Sequence, residues 1–230
     1  MNNMKDHLNV AVLVFDGVEL VDMNGPVDVF LHANRYKKDP AFTGLPYNVY
    51  TVADKGKDII SEDGAVTIKP SFTFSNCPDP DLIVVPGRIS ADGSDSSIPA
   101  EQPYLDFIAK MGAKNKVIMS VCVGLYSLAS TRLLDGKKAT THYLSIAYAE
   151  KTWKKVKFIK NVRYVEDGLF VTTGGITSGI DGALYLVKKY NSDTIAQNVA
   201  NIMVYQMDAP IPPNTILPLK KQLNKKEAVS

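Results

Sequence analysis

One stretch, residues 116–134 (KVIMSVCVGLYSLASTRLL), constrains the fold more than any other. It opens with an apolar run, Val117-Ile118-Met119-Ser120-Val121, that reads as a buried strand. It continues with Leu125, Leu128, Ala129 and Leu133 near helical period. Cys122 stands at the junction, and Gly124 supplies a residue without a side chain for the sharp turn. Such a strand-to-helix turn presents its junction side chain at the carboxyl edge of a sheet, facing the free N–H groups of the new helix. Those dipoles favour an anionic sulfur, so the spacing predicts a nucleophilic Cys122 with a lowered thiol pKa. The competing reading is a buried cysteine that acts only as a small hydrophobe.

The rest of the chain alternates in the same way. Residues 8–15 (LNVAVLVF) and 82–85 (LIVV) are continuous apolar runs, the pattern of parallel strands covered on both faces. Further strands are predicted at 47–53, 65–69, 138–141, 156–159, 162–166 and 169–172, the last two joined by a tight Asp167-Gly168 hairpin. Helices are expected at 26–36, opened by Pro26 in its first turn, and at 102–112, 142–153, 176–190 and 193–207. Residues 72–81 (FTFSNCPDPD) read as irregular, and the polar loop from Ile89 as mobile. Alternating strands and helices mean an α/β fold with a mostly parallel sheet. One domain over 1–207 is expected, followed by a Pro/Lys-rich tail over 208–230 that lies on a neighbouring subunit or frays.

Composition narrows the function. A net charge of +2 nominates neither nucleic acid nor an anionic membrane surface. Two cysteines, Cys77 and Cys122, are too few for a disulfide framework, and the N-terminal apolar run is too short for a signal peptide, so a cytoplasmic protein is expected. The three histidines are scattered, which argues against a metal site. Neither dinucleotide nor P-loop fingerprints occur, so no cofactor is expected.

Ligands of parallel α/β sheets bind beyond the carboxyl ends of the strands. Residues 15–22, 85–88 and 121–124 should all end there and form one site. Asp22, among Leu20, Val21 and Met23, is the leading proton donor, because an apolar setting raises a carboxyl pKa. Capping of the following helix is its bland alternative, and Glu19 is a rival carboxylate. Gly87 is expected to offer its N–H beside that of Val123 as an oxyanion site. Gly174 and Gly175 would let the chain pass close to Cys122, and His142 either polarises the site or bonds backbone. Ser178 and Asp181 have the spacing of a helix cap. Cys77 has no basic neighbour and reads as a bystander.

The segments FDGVELVDMNGPVDVF, DLIVVPGR, SVCVGLYSLASTRLLDGKKATTHY and VEDGLFVTTGGITSGIDGALYLV resemble, in order, the motifs of the PfpI/ThiJ superfamily. LLDGKKATTH and TSGID resemble the branch that holds the isonitrile (isocyanide) hydratases and the ligand-side domains of AraC-type regulators. The resemblance implies a flavodoxin-like three-layer sandwich related to class I glutamine amidotransferases, a homodimer and no cofactor. It maps a nucleophile onto Cys122 and its acid partner onto Asp22, acting on a small-molecule electrophile. The activity implied is hydration of an isocyanide to an N-substituted formamide through a Cys thioimidate. The alternative is a non-catalytic ligand-binding or oxidative-stress (deglycase- or chaperone-like) member. No His follows Cys122, unlike the protease-like members. Val123 stands where the hydratases carry Thr, and Arg88 replaces the second Gly of the usual Pro-Gly-Gly.

Overall fold

The computed structural model describes residues 5–88, 101–207 and 209–210. The tail and the loop residues 89–100 lie outside the described residues apart from positions 209 and 210. A seven-stranded sheet forms the middle layer. Its first strand, β1 (Leu8–Leu13), pairs in parallel with β2 (Tyr47–Ala53) on one side and with β6 (Leu82–Val85) on the other. β6 is followed outward by β7 (Val117–Ser120), again in parallel, and then by β11 (Phe170–Thr173). The last neighbour, β10 (Tyr164–Asp167), is antiparallel to β11 across the Asp167-Gly168 turn. Five of the six β1 residues and all four of β6 are buried, as strands covered on both faces must be.

Helices supply the cover. α1 (Leu20–Asn34), α5 (Ser178–Tyr190) and α6 (Asp193–Ile202) pack on one another on one face. α2 (Gln102–Ala113) and α3 (Gly124–Ser130) pack together against β6 and β7 on the other. Two small sheets stand apart: antiparallel β3 (Ile59–Ile60) with β4 (Thr67–Ile68), and parallel β8 (Lys138–Ala139) with β9 (Lys157–Phe158). The short helix α4 (Ile146–Thr152) lies beside β9. Among the described residues no helix is long and apolar enough to cross a membrane.

Several bounds differ from the sequence expectation. α1 starts at Leu20, not at Pro26. The Glu19 side chain accepts the Val21 N–H at 3.3 Å and caps the helix six residues earlier, so Asp22 sits in the first turn and Pro26 inside. The interior proline gives up one helix bond. Packing outweighs that loss, because Gly25 and Pro26 are buried and α5 lies close enough that a side chain at Gly25 would come within 3.0 Å of Ile180. α4 opens at Ile146, not His142, because Thr140 and Thr141 are bonded elsewhere. The stretch after Pro70 contains a two-residue edge strand, β5 (Phe72–Thr73), paired to β2. The Phe72 ring stands edge-on to Tyr50 there, 5.2 Å away. Ser178 and Asp181 do not form a cap: Thr177 holds the capping position without a side-chain bond, and Asp181 Oδ2 accepts from the Tyr205 hydroxyl at 2.7 Å and from Arg163 at 3.2 Å.

The turn from β7 into α3 depends on Gly124. A side chain there would meet the Val85 carbonyl oxygen at 2.1 Å and that of Pro86 at 2.6 Å, which are backbone atoms that cannot rotate away. Gly124→Ala should therefore lower stability at the upper end of the roughly 1–3 kcal/mol that overpacking costs. Gly56→Ala, whose new methyl would meet only Thr73 Cγ2 at 3.8 Å, should stay within about 0.5 kcal/mol of the parent. Urea unfolding of the two variants checks the contrast.

Candidate active site

Three strand ends meet at one point. The chain leaving β1 forms a lone antiparallel bridge between Val18 and Arg88, just beyond β6. The Glu19 N–H donates to the Gly87 carbonyl at 3.0 Å, and the Gly87 N–H donates to Asp22 Oδ2 at 2.9 Å. Beyond β7, the Val121 N–H donates to the Val85 carbonyl at 2.9 Å. A side chain at position 87 would lie 2.8 Å from Asp22 Oδ2 and 2.8 Å from Val123 Cγ2, so only glycine fits. These contacts gather 15–22, 85–88 and 121–124. They also correct the role expected of Gly87: its N–H is engaged by Asp22 and does not form an oxyanion pair with Val123. Gly87 holds the acid instead.

Cys122 has φ 54°, the left-handed region that a side chain adopts only under constraint. Its sulfur receives the backbone N–H groups of Val123 and Ile176. The first is the donor the elbow geometry anticipates. The second comes from the loop opened by Gly174 and Gly175. The Gly174 N–H is tied to the Arg163 carbonyl at 2.9 Å. At Gly175 a side chain would come within 3.1 Å of the His142 ring. His142 thus packs one residue from the Ile176 donor, and its Nδ1 accepts the Leu144 N–H at 3.3 Å.

The expected low thiol pKa is not what these surroundings favour. Cys122 is only 5% exposed, and its burial pushes the thiol well up, with negative charge on Asp22 adding to the rise. The two N–H groups act in the opposite direction but are outweighed. Asp22, fully buried, behaves as anticipated: burial drives its carboxyl far above the usual range, against the smaller pull of the Gly87 N–H. Its Oδ1 is buried without a hydrogen-bond partner, which suits a protonated carboxyl better than a charged one. Once Asp22 is neutral its charge no longer acts on the sulfur. Burial therefore works against charge on both groups.

A second acid pair was not legible in the sequence. Glu62, in the 3-10 turn Glu62–Gly64 between β3 and β4, donates its N–H to the Val18 carbonyl at 3.2 Å. Its carboxyl is hydrogen-bonded to that of Glu19. The Glu62 pKa is pushed up to about 8, by burial first and then by the neighbouring Glu19 carboxyl. Both glutamates push Asp22 further up. Arg88 flanks Gly17, and Asp16 beside it is lowered chiefly by its bonds to Lys57 and the Ile60 N–H. Glu62 lies in a polar, turn-rich stretch with no periodicity to single it out. Thr141, the other residue missed, donates its hydroxyl to the Cys122 carbonyl at 2.7 Å. Cys77 is half-buried, and burial raises its thiol too. Among the described residues no group of three or more His, Cys, Asp or Glu is placed to hold a metal ion.

Comparison with known proteins follows the same residues. The model of the DJ-1/PfpI family matches residues 8–189. The chain is 31% identical over 207 residues to an isonitrile hydratase of Pseudomonas putida, an alignment covering 90% of this chain and 81% of that one. It is 21% identical over 215 residues to the HTH-type transcriptional regulator GbdR of Pseudomonas aeruginosa (strain UCBPP-PA14), covering 94% of this chain and 55% of the regulator. Among solved structures, a THiJ/PfpI family protein from Pseudomonas syringae superposes with a TM-score of 0.73 at 28% identity, over 100% of this chain and 89% of that one.

The Glu19–Glu62 pair gives a pH-dependent stability with a definite sign. The folded protein holds the Glu62 proton more tightly than the unfolded chain, whose carboxyl titrates near the usual 4.5. The stabilisation is complete below that pH and is lost as pH rises through about 8. Glu62→Gln carries a permanent neutral donor to Glu19. Its melting temperature should match the parent in mild acid and exceed it in mild alkali, as thermal unfolding across that window will read.

Proposed function

The chain belongs to the DJ-1/PfpI family, and on that footing we propose that it is a cysteine-dependent hydratase of an isonitrile or a similar small electrophile. The observation that carries the reading is the buried pair of Cys122 and Asp22 at the meeting of three strand ends. Similarity to an isonitrile hydratase over 90% of the chain supports the substrate class.

The neutral pair suits this chemistry. Cys122 Sγ bonds to the terminal carbon of R–N≡C. The thiol proton passes to Asp22 as Asp22 gives its own proton to that carbon, leaving the thioimidate R–N=CH–S. Water then adds to the same carbon. One water proton passes to Asp22 while Asp22 protonates the nitrogen. The tetrahedral adduct collapses when its hydroxyl proton leaves through Asp22. The C–S bond breaks, the sulfur regains a proton, and R–NH–CHO departs. Atoms and charge balance without any other group. Val123 brings no hydroxyl to the attacking water, so Asp22 serves both halves of the cycle. The neutral pair suits an uncharged substrate.

A homodimer would cover Val21 and Leu31, apolar residues left 40% and 47% exposed on α1. We place the protein in the cytoplasm on its cysteine usage. A second reading, a ligand-sensing module, draws on the similarity to GbdR and on Val123.

Incubation with cyclohexyl isocyanide, followed by proton NMR of the formamide, separates the two. Hydration should be abolished in Cys122→Ala and should fall about 10²–10⁴-fold in Asp22→Asn, the usual span for a lost general acid. Saturable binding without formamide, unchanged by blocking Cys122, would overturn the hydratase in favour of the sensor.

A further inference from the structure

The segment KATTH is a motif that the proposed chemistry leaves unused, and the structure ties it to the reacting sulfur. Cys122 holds a left-handed backbone, φ 54°. In the turn to α3 the carbonyls of Val121 and Val123 accept helix N–H groups at 2.8 and 2.9 Å, yet the N–H that reaches the Cys122 carbonyl, from Leu125, is 3.5 Å away. The short bond comes from a side chain, the Thr141 hydroxyl at 2.7 Å. Thr141 is 2% exposed, so the bond is shielded from water.

The peptide plane carries the consequence. The Cys122 C=O and the Val123 N–H belong to one planar trans unit, so fixing the oxygen on one edge fixes the N–H on the other. That N–H is one of the two that face the Cys122 sulfur. Thr141 is itself rigidly mounted. The neighbouring Thr140 N–H donates to Thr172 Oγ1 at 2.8 Å, and Thr172 is wholly buried in β11. One residue before that, the Ala139 carbonyl accepts the Ile159 N–H at 2.8 Å. Lys138 donates its N–H to Asp167 Oδ2 at 2.9 Å. A β-branched side chain on so fixed a backbone has little torsional freedom.

We propose that Thr141 is a positioning residue for Cys122: its hydroxyl clamps the strained Cys122–Val123 peptide so that the Val123 N–H stays aimed at the sulfur and at the adduct formed on it. The proposal rests on the reading of Cys122 as the nucleophile. Loss of the clamp lets the peptide rotate, the Val123 donor turns away, and the sulfur loses one of the contacts that favour its ionised form.

The test uses the full chain and two readouts, the pH profile of Cys122 alkylation by iodoacetamide, followed by mass spectrometry, and the hydration of cyclohexyl isocyanide. In Thr141→Val the alkylation midpoint should move up by about one unit, a roughly tenfold slower reaction at fixed pH. Hydration, where present, should lose kcat with KM little changed. Thr141→Ser, which keeps the hydroxyl, should restore both to within about threefold, a loss well under 1.4 kcal/mol. Asn191→Ala, which breaks a buried amide contact to the Tyr47 hydroxyl away from the site, should lower the melting temperature and leave the alkylation midpoint unmoved. A Thr141→Val protein that alkylates on the parent's profile overturns the proposal. So does a Ser variant that fails to rescue. Should the Val variant not fold, Thr141→Ala is read in its place, and failure of both to fold overturns positioning in favour of a purely structural role. Alkylation reports on Thr141 even if the parent hydrates no isocyanide, so failure of the substrate reading and failure of this one are distinguishable.

Discussion

A single buried hydrogen bond, from the Gly87 N–H to Asp22 Oδ2, joins the two segments that make the site. One end belongs to the turn after β6 and the other to the first turn of α1. It requires that α1 begin at Leu20, that residue 87 carry no side chain, and that Val123 close the remaining space. The Glu19 N–H bond to the Gly87 carbonyl grips the same residue from its other side. The acid is therefore located by main-chain geometry, and its direction does not depend on a mobile loop.

Burial then decides the chemistry. The elbow turns N–H groups toward the sulfur, which taken alone would make a thiolate. Exclusion of water works in the opposite direction on both Cys122 and Asp22, and it is the larger effect. Charge is disfavoured on both groups, which suits the proton exchange proposed for them. Beside them Glu62 is pushed up to about 8 by its own burial and by the Glu19 carboxyl. Thr141 bonds the Cys122 carbonyl, so the polar contacts around this residue come from three separate stretches of chain.

Much of this was legible in residue order. The apolar runs 8–15, 82–85 and 117–121 read as buried strands, and β1, β6 and β7 within them are the centre of the sheet. The Cys122–Gly124 junction read as a strand-to-helix turn, and Gly124 lies against two carbonyl oxygens there. The start of α1 misled because Pro26 usually opens a helix; close contact with α5 let it sit inside instead. Gly87 was rightly placed at the site but wrongly given a free N–H, since the partner of that N–H lies 65 residues away in sequence.

By itself the sequence determined the alternation of strands and helices, the position of the sulfur at a strand end and an acid in apolar company, because each rests on local spacing and residue type. Only the tertiary structure decided the burial that disfavours charge on the pair, the meeting of Glu19 with Glu62, and the bond from Thr141 to the Cys122 carbonyl. The reason is physical: a pKa, a carboxyl pair and a hydroxyl-to-carbonyl bond depend on which groups meet across the fold and how much water they lose in meeting, and no local pattern records either.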